Sequence, residues 1–269
     1  MRHENPFVKA FSGKKALIPF ITVGYPYWDV FERLVEGMVQ AGADIIEIGI
    51  PFSDPLADGI TIQKSSQIAI EHGATLKRAL KVIESLSPKV KVPIVIMSYY
   101  NPILSYGIES FVKDAKCAGV SGVIIPDLPF DEREPFYHLC KERGISPILM
   151  ITPVTPHERL ERIIKDADGF IYCVSLVGLT GDSKKPIFQW ISRELPKIRE
   201  LSPVPIVLGF GIDSTDTAMR VSPFTDGIVV GSALIKMIER EISLSSWTED
   251  DLLDKVKNFI KSFKKSLKD

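Results

Sequence analysis

Long apolar runs are missing from this sequence. No uninterrupted stretch approaches the ~20 residues that a helix needs to cross a bilayer, so a membrane-spanning role is set aside. The opening residues, Met1-Arg2-His3-Glu4-Asn5-Pro6, lack the apolar centre of a secretory signal, and a cytoplasmic protein is expected. Cysteine is scarce. Cys117, Cys140 and Cys173 are odd in number and show no paired spacing of the zinc or redox kind, so they read as reduced, mostly buried thiols. An excess of either charge is absent too: 33 Lys and Arg against 34 Asp and Glu leave a formal −1, which implies no polyanion-binding surface. The late lysines (Lys255, Lys257, Lys261, Lys264, Lys265, Lys268) alternate with a helical apolar stripe of Val256, Phe259, Ile260, Phe263 and Leu267. They are the solvated face of a helix, not a nucleic-acid patch.

Further absences narrow the chemistry. The four histidines, His3, His72, His138 and His157, fall in the opening segment or on helical patterns, so a His-rich metal site is not expected. None of the predicted strands contains lysine, which argues against a Schiff-base mechanism. No Gly-x-Gly-x-x-Gly turn follows the first strand, which lowers a dinucleotide-binding open sheet.

What is present alternates. Apolar strand runs at 16–23, 45–50, 93–97, 120–125, 145–151, 169–174, 204–208 and 226–230 are followed by helical periodicities. The helical stretches are 28–40, 61–72 with 76–86, 108–118, 131–143, 157–165, 187–200, 214–221, and finally 233–241 with 250–267. Eight such units within 269 residues predict one (β/α)8 barrel domain over residues 1–269. It carries an extra N-terminal helix (Phe7, Phe11) and a short extra helix after the eighth strand. A doubly wound open sheet is the alternative.

The stretch from Ile45 to Gly59 holds most of the chemistry. Glu47 interrupts an aliphatic strand and shares a face with Ile45 and Gly49. A carboxylate there is either one half of an ion pair across the core or part of an acid/base site, because burying it alone is costly. Pro51 ends the ladder, and Asp54 and Asp58 follow in a loop. In a barrel, active residues come from the C-terminal ends of strands, where Glu47, Asp58, Asp127 and the loop 178–183 all lie. Gly209-Phe210-Gly211 and Gly231-Ser232 end the seventh and eighth strands before short helices. Backbone amides there suit a phosphate, with no Arg or Lys in either cluster to add charge.

The run from Glu47 to Gly59, with Thr61-Ile62-Gln63, closely resembles the signature of the tryptophan synthase alpha chain family. The resemblance also takes in Pro19 to Thr22, Tyr99, Asn101, Pro126-Asp127, Tyr172, the segment 178–181, the segment 209–212 and Gly231-Ser232-Ala233, and so covers nearly the whole chain. It implies cleavage of indole-3-glycerol phosphate to indole and glyceraldehyde 3-phosphate. No cofactor is implied in this chain; pyridoxal phosphate belongs to a beta-chain partner in an α2β2 complex that passes indole through a tunnel. By the same resemblance Glu47 and Asp58 are the catalytic pair, and Phe20, Tyr172 and Thr180 line or gate the indole. Gly181, Gly211, Gly231 and Ser232 match phosphate-binding positions. Tyr25 and Leu176 depart from the pattern on mouth loops. An apolar interior is expected to raise the pKa of Glu47, while a wetter loop leaves Asp58 ionised. Other readings are an activating partner that has lost its own chemistry, or a different phosphate-binding barrel such as a sugar-phosphate isomerase.

Overall fold

A computed structural model of the chain describes residues 5–174, 184–209 and 211–267. Its strands are β1 (Ala16–Thr22), β2 (Ile46–Gly49), β3 (Ile94–Met97), β4 (Val120–Ile124), β5 (Ser146–Pro147), β6 (Leu149–Ile151), β7 (Ile171–Val174), β8 (Ile206–Gly209) and β9 (Gly227–Val230). They pair in parallel in the order β5-β4-β3-β2-β1-β9-β8-β7-β6. The two ends of that list are neighbours in sequence, so the sheet closes on itself. The expected barrel is therefore present. Its fifth strand is split: Pro147 has no amide hydrogen to extend a ladder, so Ser146 and Pro147 pair with β4 and, beyond Ile148, Leu149–Ile151 pair with β7.

The strands are buried on both faces because helices cover the outside. The helices are α1 (Val8–Phe11), α2 (Trp28–Gln40), α3 (Ile60–Glu71), α4 (Leu76–Val90), α5 (Tyr100–Tyr106), α6 (Ile108–Cys117), α7 (Phe136–Glu142), α8 (His157–Asp166), α9 (Lys184–Leu201), α10 (Thr215–Val221), α11 (Ser232–Ile242) and α12 (Glu249–Ser266). Each barrel helix turns one apolar stripe inward; α2 buries Val30, Phe31, Leu34, Val35 and Met38. The helix expected over 131–143 is instead a 3-10 turn, Phe130–Glu132, followed by α7. Pro135 separates them. The short opening helix sets Phe7 under the barrel, edge-on to Phe170 with ring centroids 5.4 Å apart.

The base of the barrel also holds a buried carboxylate. Asp44, just before β2, accepts from the Leu17 amide (2.8 Å) and the ammonium groups of Lys14 and Lys264. Lys264 comes from α12, whose buried stripe includes Val256, Ile260 and Phe263. Tyr25, expected on a mouth loop, is fully buried packing among the core residues.

Candidate active site

Glu47 stands in the middle of β2 in register with Phe20 of β1 and Val95 of β3. It is buried, and neither carboxylate oxygen has a hydrogen-bond partner among the described residues. Burial pushes its pKa up to about 8, and the nearby Asp58 carboxylate adds to the rise. Among the described residues, no cross-core ion pair of the kind considered for this position is formed.

Asp58 lies on the loop that leaves β2 and opens α3. Its amide bonds Pro55 O (3.0 Å), and its own carbonyl accepts from Gln63 Nε2 (2.9 Å) on the first turn of α3. Ser65, one turn further on, shares a buried hydroxyl contact with Thr22 at the end of β1 (2.7 Å). These bonds seat α3 on the barrel rim. Contrary to expectation, Asp58 is not a well-solvated group. It is half-buried, and burial pushes its pKa up to about 6, opposed by hydrogen bonding from Tyr99. The order still separates the two acids: at neutral pH Glu47 holds its proton and Asp58 is mostly ionised.

Two aromatic rings complete the interior, each seated against a glycine. A Cβ on Gly49 would overlap the Phe20 ring, and a Cβ on Gly209 would overlap the Tyr172 ring. Tyr172 is buried on β7, and its hydroxyl pKa is raised well above normal by burial, then by the Glu47 and Asp58 carboxylates. All three groups therefore share one space. Gly209 is thus a ring seat, a role hidden by its place in a glycine cluster read for phosphate. The signal was there in principle: a small residue beside a strand carrying a large inward ring.

Gly231 caps α11, and Ser232 is its first residue. The first intrahelical bond runs from Ile235 to Gly231 O (3.0 Å). The amides of Ser232, Ala233 and Leu234 precede it and point from the helix start, the arrangement that accepts an anion. Gly231 also packs on Phe20, whose Cβ would be 3.2 Å from an added Cβ. Gly211 follows β8 with φ of +77°, a conformation that favours glycine. Because β8, β9, β1, β2 and β3 are successive neighbours, Gly211, Gly231, Phe20, Glu47 and Tyr99 follow one another around the same rim. Thr180, Gly181 and Leu176 lie outside the described residues.

The site thus brings one protonated and one ionised carboxyl group together with two inward rings, and the N-terminus of α11 follows Phe20 around the barrel. Among the described residues, the cysteines and the histidines stand apart from it. Cys140 and Cys173 are buried free thiols whose pKa values burial pushes up to about 12. His138 and His157 are exposed beside Glu142 and Glu161, and His72 stacks on Tyr27 (5.4 Å).

Comparison with known proteins gives the same answer from sequence and from structure. Residues 8–268 match the family model for the tryptophan synthase alpha chain. The tryptophan synthase alpha chain of Petrotoga mobilis is 46% identical over 256 residues, which covers 95% of this chain and 97% of that one. The corresponding chain of Geobacter sulfurreducens is 40% identical over 256 residues, 95% of this chain and 94% of that one. Among solved structures, the tryptophan synthase alpha chain of Legionella pneumophila superposes with a TM-score of 0.86 at 31% identity, with 98% of each chain covered.

Proposed function

The chain belongs to the tryptophan synthase alpha chain family, and on that premise we propose how its residues divide the work. The reaction is cleavage of indole-3-glycerol phosphate to indole and glyceraldehyde 3-phosphate. Breaking that carbon–carbon bond needs an electron sink, and protonating the indole ring at the carbon bearing the side chain creates one. Glu47 gives that proton. Its resulting carboxylate then takes the proton of the adjacent side-chain hydroxyl as the carbon–carbon bond breaks, and the bonding electrons return to the ring. One carboxyl group thus gives and regains a single proton per turnover. Asp58, ionised, faces the ring N–H and stabilises the positive charge that develops there.

Phe20 and Tyr172 form the walls against which the indole lies, with Thr180 as the third indole residue and Gly181 assigned to the phosphate. The phosphate sits on the amides at the start of α11, with Gly211 allowing close approach and the Ser232 hydroxyl adding a donor. As an alpha chain it works with a beta subunit. We assign that assembly as a cytoplasmic α2β2 complex in which the beta chain holds pyridoxal phosphate, with the loops 52–59 and 178–183 as the contact surface.

The observation that carries this reading is Glu47: wholly buried, without a hydrogen-bond partner among the described residues, and with burial pushing its pKa up to about 8. Glu47→Gln keeps the shape and removes the proton cycle. Cleavage is expected to fall by about 10²–10⁴, while the variant still activates a beta chain's own reaction. Ordinary cleavage by a folded Gln variant would remove Glu47 from its role.

A further inference from the structure

The loop that carries Asp58 is open to solvent over most of its length, with Ser53, Asp54 and Ala57 exposed and Leu56 at 94% exposure. An acid that must meet a ring N–H cannot ride on an unanchored loop, since small misplacements cost much of the rate. One side chain reaches both shoulders of the loop. Tyr99, buried directly after β3, stacks its ring at 5.2 Å and 32° on Phe52 at the loop's start. Its hydroxyl accepts the Ala57 amide (2.8 Å) next to Asp58 at the loop's end. We propose that Tyr99 is the positioning residue of this site: it fixes the Asp58 loop across the gap between β2 and β3 and donates its hydroxyl proton to the Asp58 carboxylate.

The stereochemistry fits this assignment. A phenol hydroxyl has one proton to give and lone pairs to receive. The Ala57 amide occupies a lone pair, which leaves the proton for Asp58. A bond to a charged acceptor is the stronger kind, and it favours the ionised carboxylate that the reaction uses. Such a bond acts to lower the pKa of Asp58 against the effect of burial. Tyr99 itself is raised above the normal phenol range by burial first and then by Asp58. Tyr99 also belongs to a rigid part of the barrel: the next residue opens α5, and its amide is capped by Asp127 Oδ1 (2.9 Å). Among the described residues, the groups acting electrostatically around Asp58 are Glu47 on β2, Tyr99 after β3 and Tyr172 on β7, with Asp127 behind Tyr99.

The proposal rests on Asp58 as the group facing the ring nitrogen, and the test separates the two claims. In the full chain, Tyr99→Phe keeps the ring on Phe52 and deletes only the hydroxyl. Carboxyl-carbon NMR is expected to show Asp58 titrating about one pH unit higher, and Ala57 amide exchange to quicken. Turnover of indole-3-glycerol phosphate should lose about 10-fold in kcat with KM nearly unchanged, and its acid limb should move up with Asp58. An unchanged Asp58 titration together with unchanged Ala57 exchange overturns the proposal, whatever happens to kcat. So does a rise in KM at constant kcat, which would make Tyr99 a substrate contact. Asp58→Asn is the separate arm: parent-like turnover there removes Asp58 from the chemistry, while the NMR of Tyr99→Phe still reports whether Tyr99 holds the loop.

Discussion

Asp44 and Glu47 are three residues apart, and both are almost wholly buried. At the base of the barrel, Asp44 is met by two lysines and a backbone amide. At the mouth-facing interior, Glu47 has no hydrogen-bond partner among the described residues. The cost of desolvating a carboxylate is similar in the two places, but only at Asp44 is it offset locally. The first carboxylate therefore ties elements together through its partners. The second is a reservoir for a proton. The same residue class, on either side of one strand end, has been given opposite tasks by its neighbours.

The comparison breaks most visibly in catalysis. Asp58→Asn should lower kcat by about 10² or more with a modest change in KM, because the lost charge acts mainly in the transition state. In the parent, activity requires ionised Asp58 and protonated Glu47, so a bell between about pH 6 and about pH 8 is expected. The acid limb should vanish in the Asn variant. A retained limb at the same pH would assign it to another group.

Stability gives the next largest contrast, and its sign differs between the two acids. Asp44→Asn removes one half of a paired site and should cost about 2–3 kcal/mol. That is less than a fully buried pair loses, because Lys14 is 45% exposed. Denaturant titration measures it, and kcat of the folded fraction should not change. Glu47→Gln should stabilise instead. A carboxyl group whose pKa is raised on folding binds a proton in the native state that the unfolded chain has released, so parent stability falls as pH rises from about 4.5 to about 8. The Gln variant escapes that fall, and its advantage should grow by up to about 1.4 kcal/mol per pH unit across this window. A constant difference from pH 5 to pH 8 would show that Glu47 is not a native-state proton carrier.

The smallest expected effect tests the helix start. Ser232→Ala should weaken inorganic phosphate binding about 3- to 10-fold, as for one neutral hydrogen bond, and leave both pH limbs in place. Ser232 is preferable to Gly231 for this purpose, since a side chain at 231 would press on Phe20.

Much of this was legible before any coordinates. Strand and helix periodicity predicted the barrel, and the aliphatic context of Glu47 marked it as unusual. Three things were not legible, each for a physical reason. The pairing of Asp44 depends on Lys264, 220 residues away, and no local pattern records such a partner. Helix α5 was missed because its cap is supplied by Asp127 from the following strand's loop and not by a residue beside it. The half-burial of Asp58 follows from α3 folding back over the rim, where Thr22 and Ser65 meet. Gly209 illustrates a different limit: composition showed that a side chain was unwelcome there, but not that a tyrosine ring was the reason.

The clamp on Asp44 has a consequence for how the chain is made. Lys14 and Leu17 leave the ribosome shortly before Asp44, whereas Lys264 follows it by 220 residues. At ordinary translation speeds that gap is roughly 10–45 s. For that interval the first two strands carry a carboxylate with half its countercharge, exposed at an unfinished edge. Vectorial synthesis therefore leaves the base of the barrel to be locked last, by a helix that also supplies the Lys264 bond to Lys15 O (3.1 Å). A nascent chain arrested before that helix would be held open at the end opposite its chemistry.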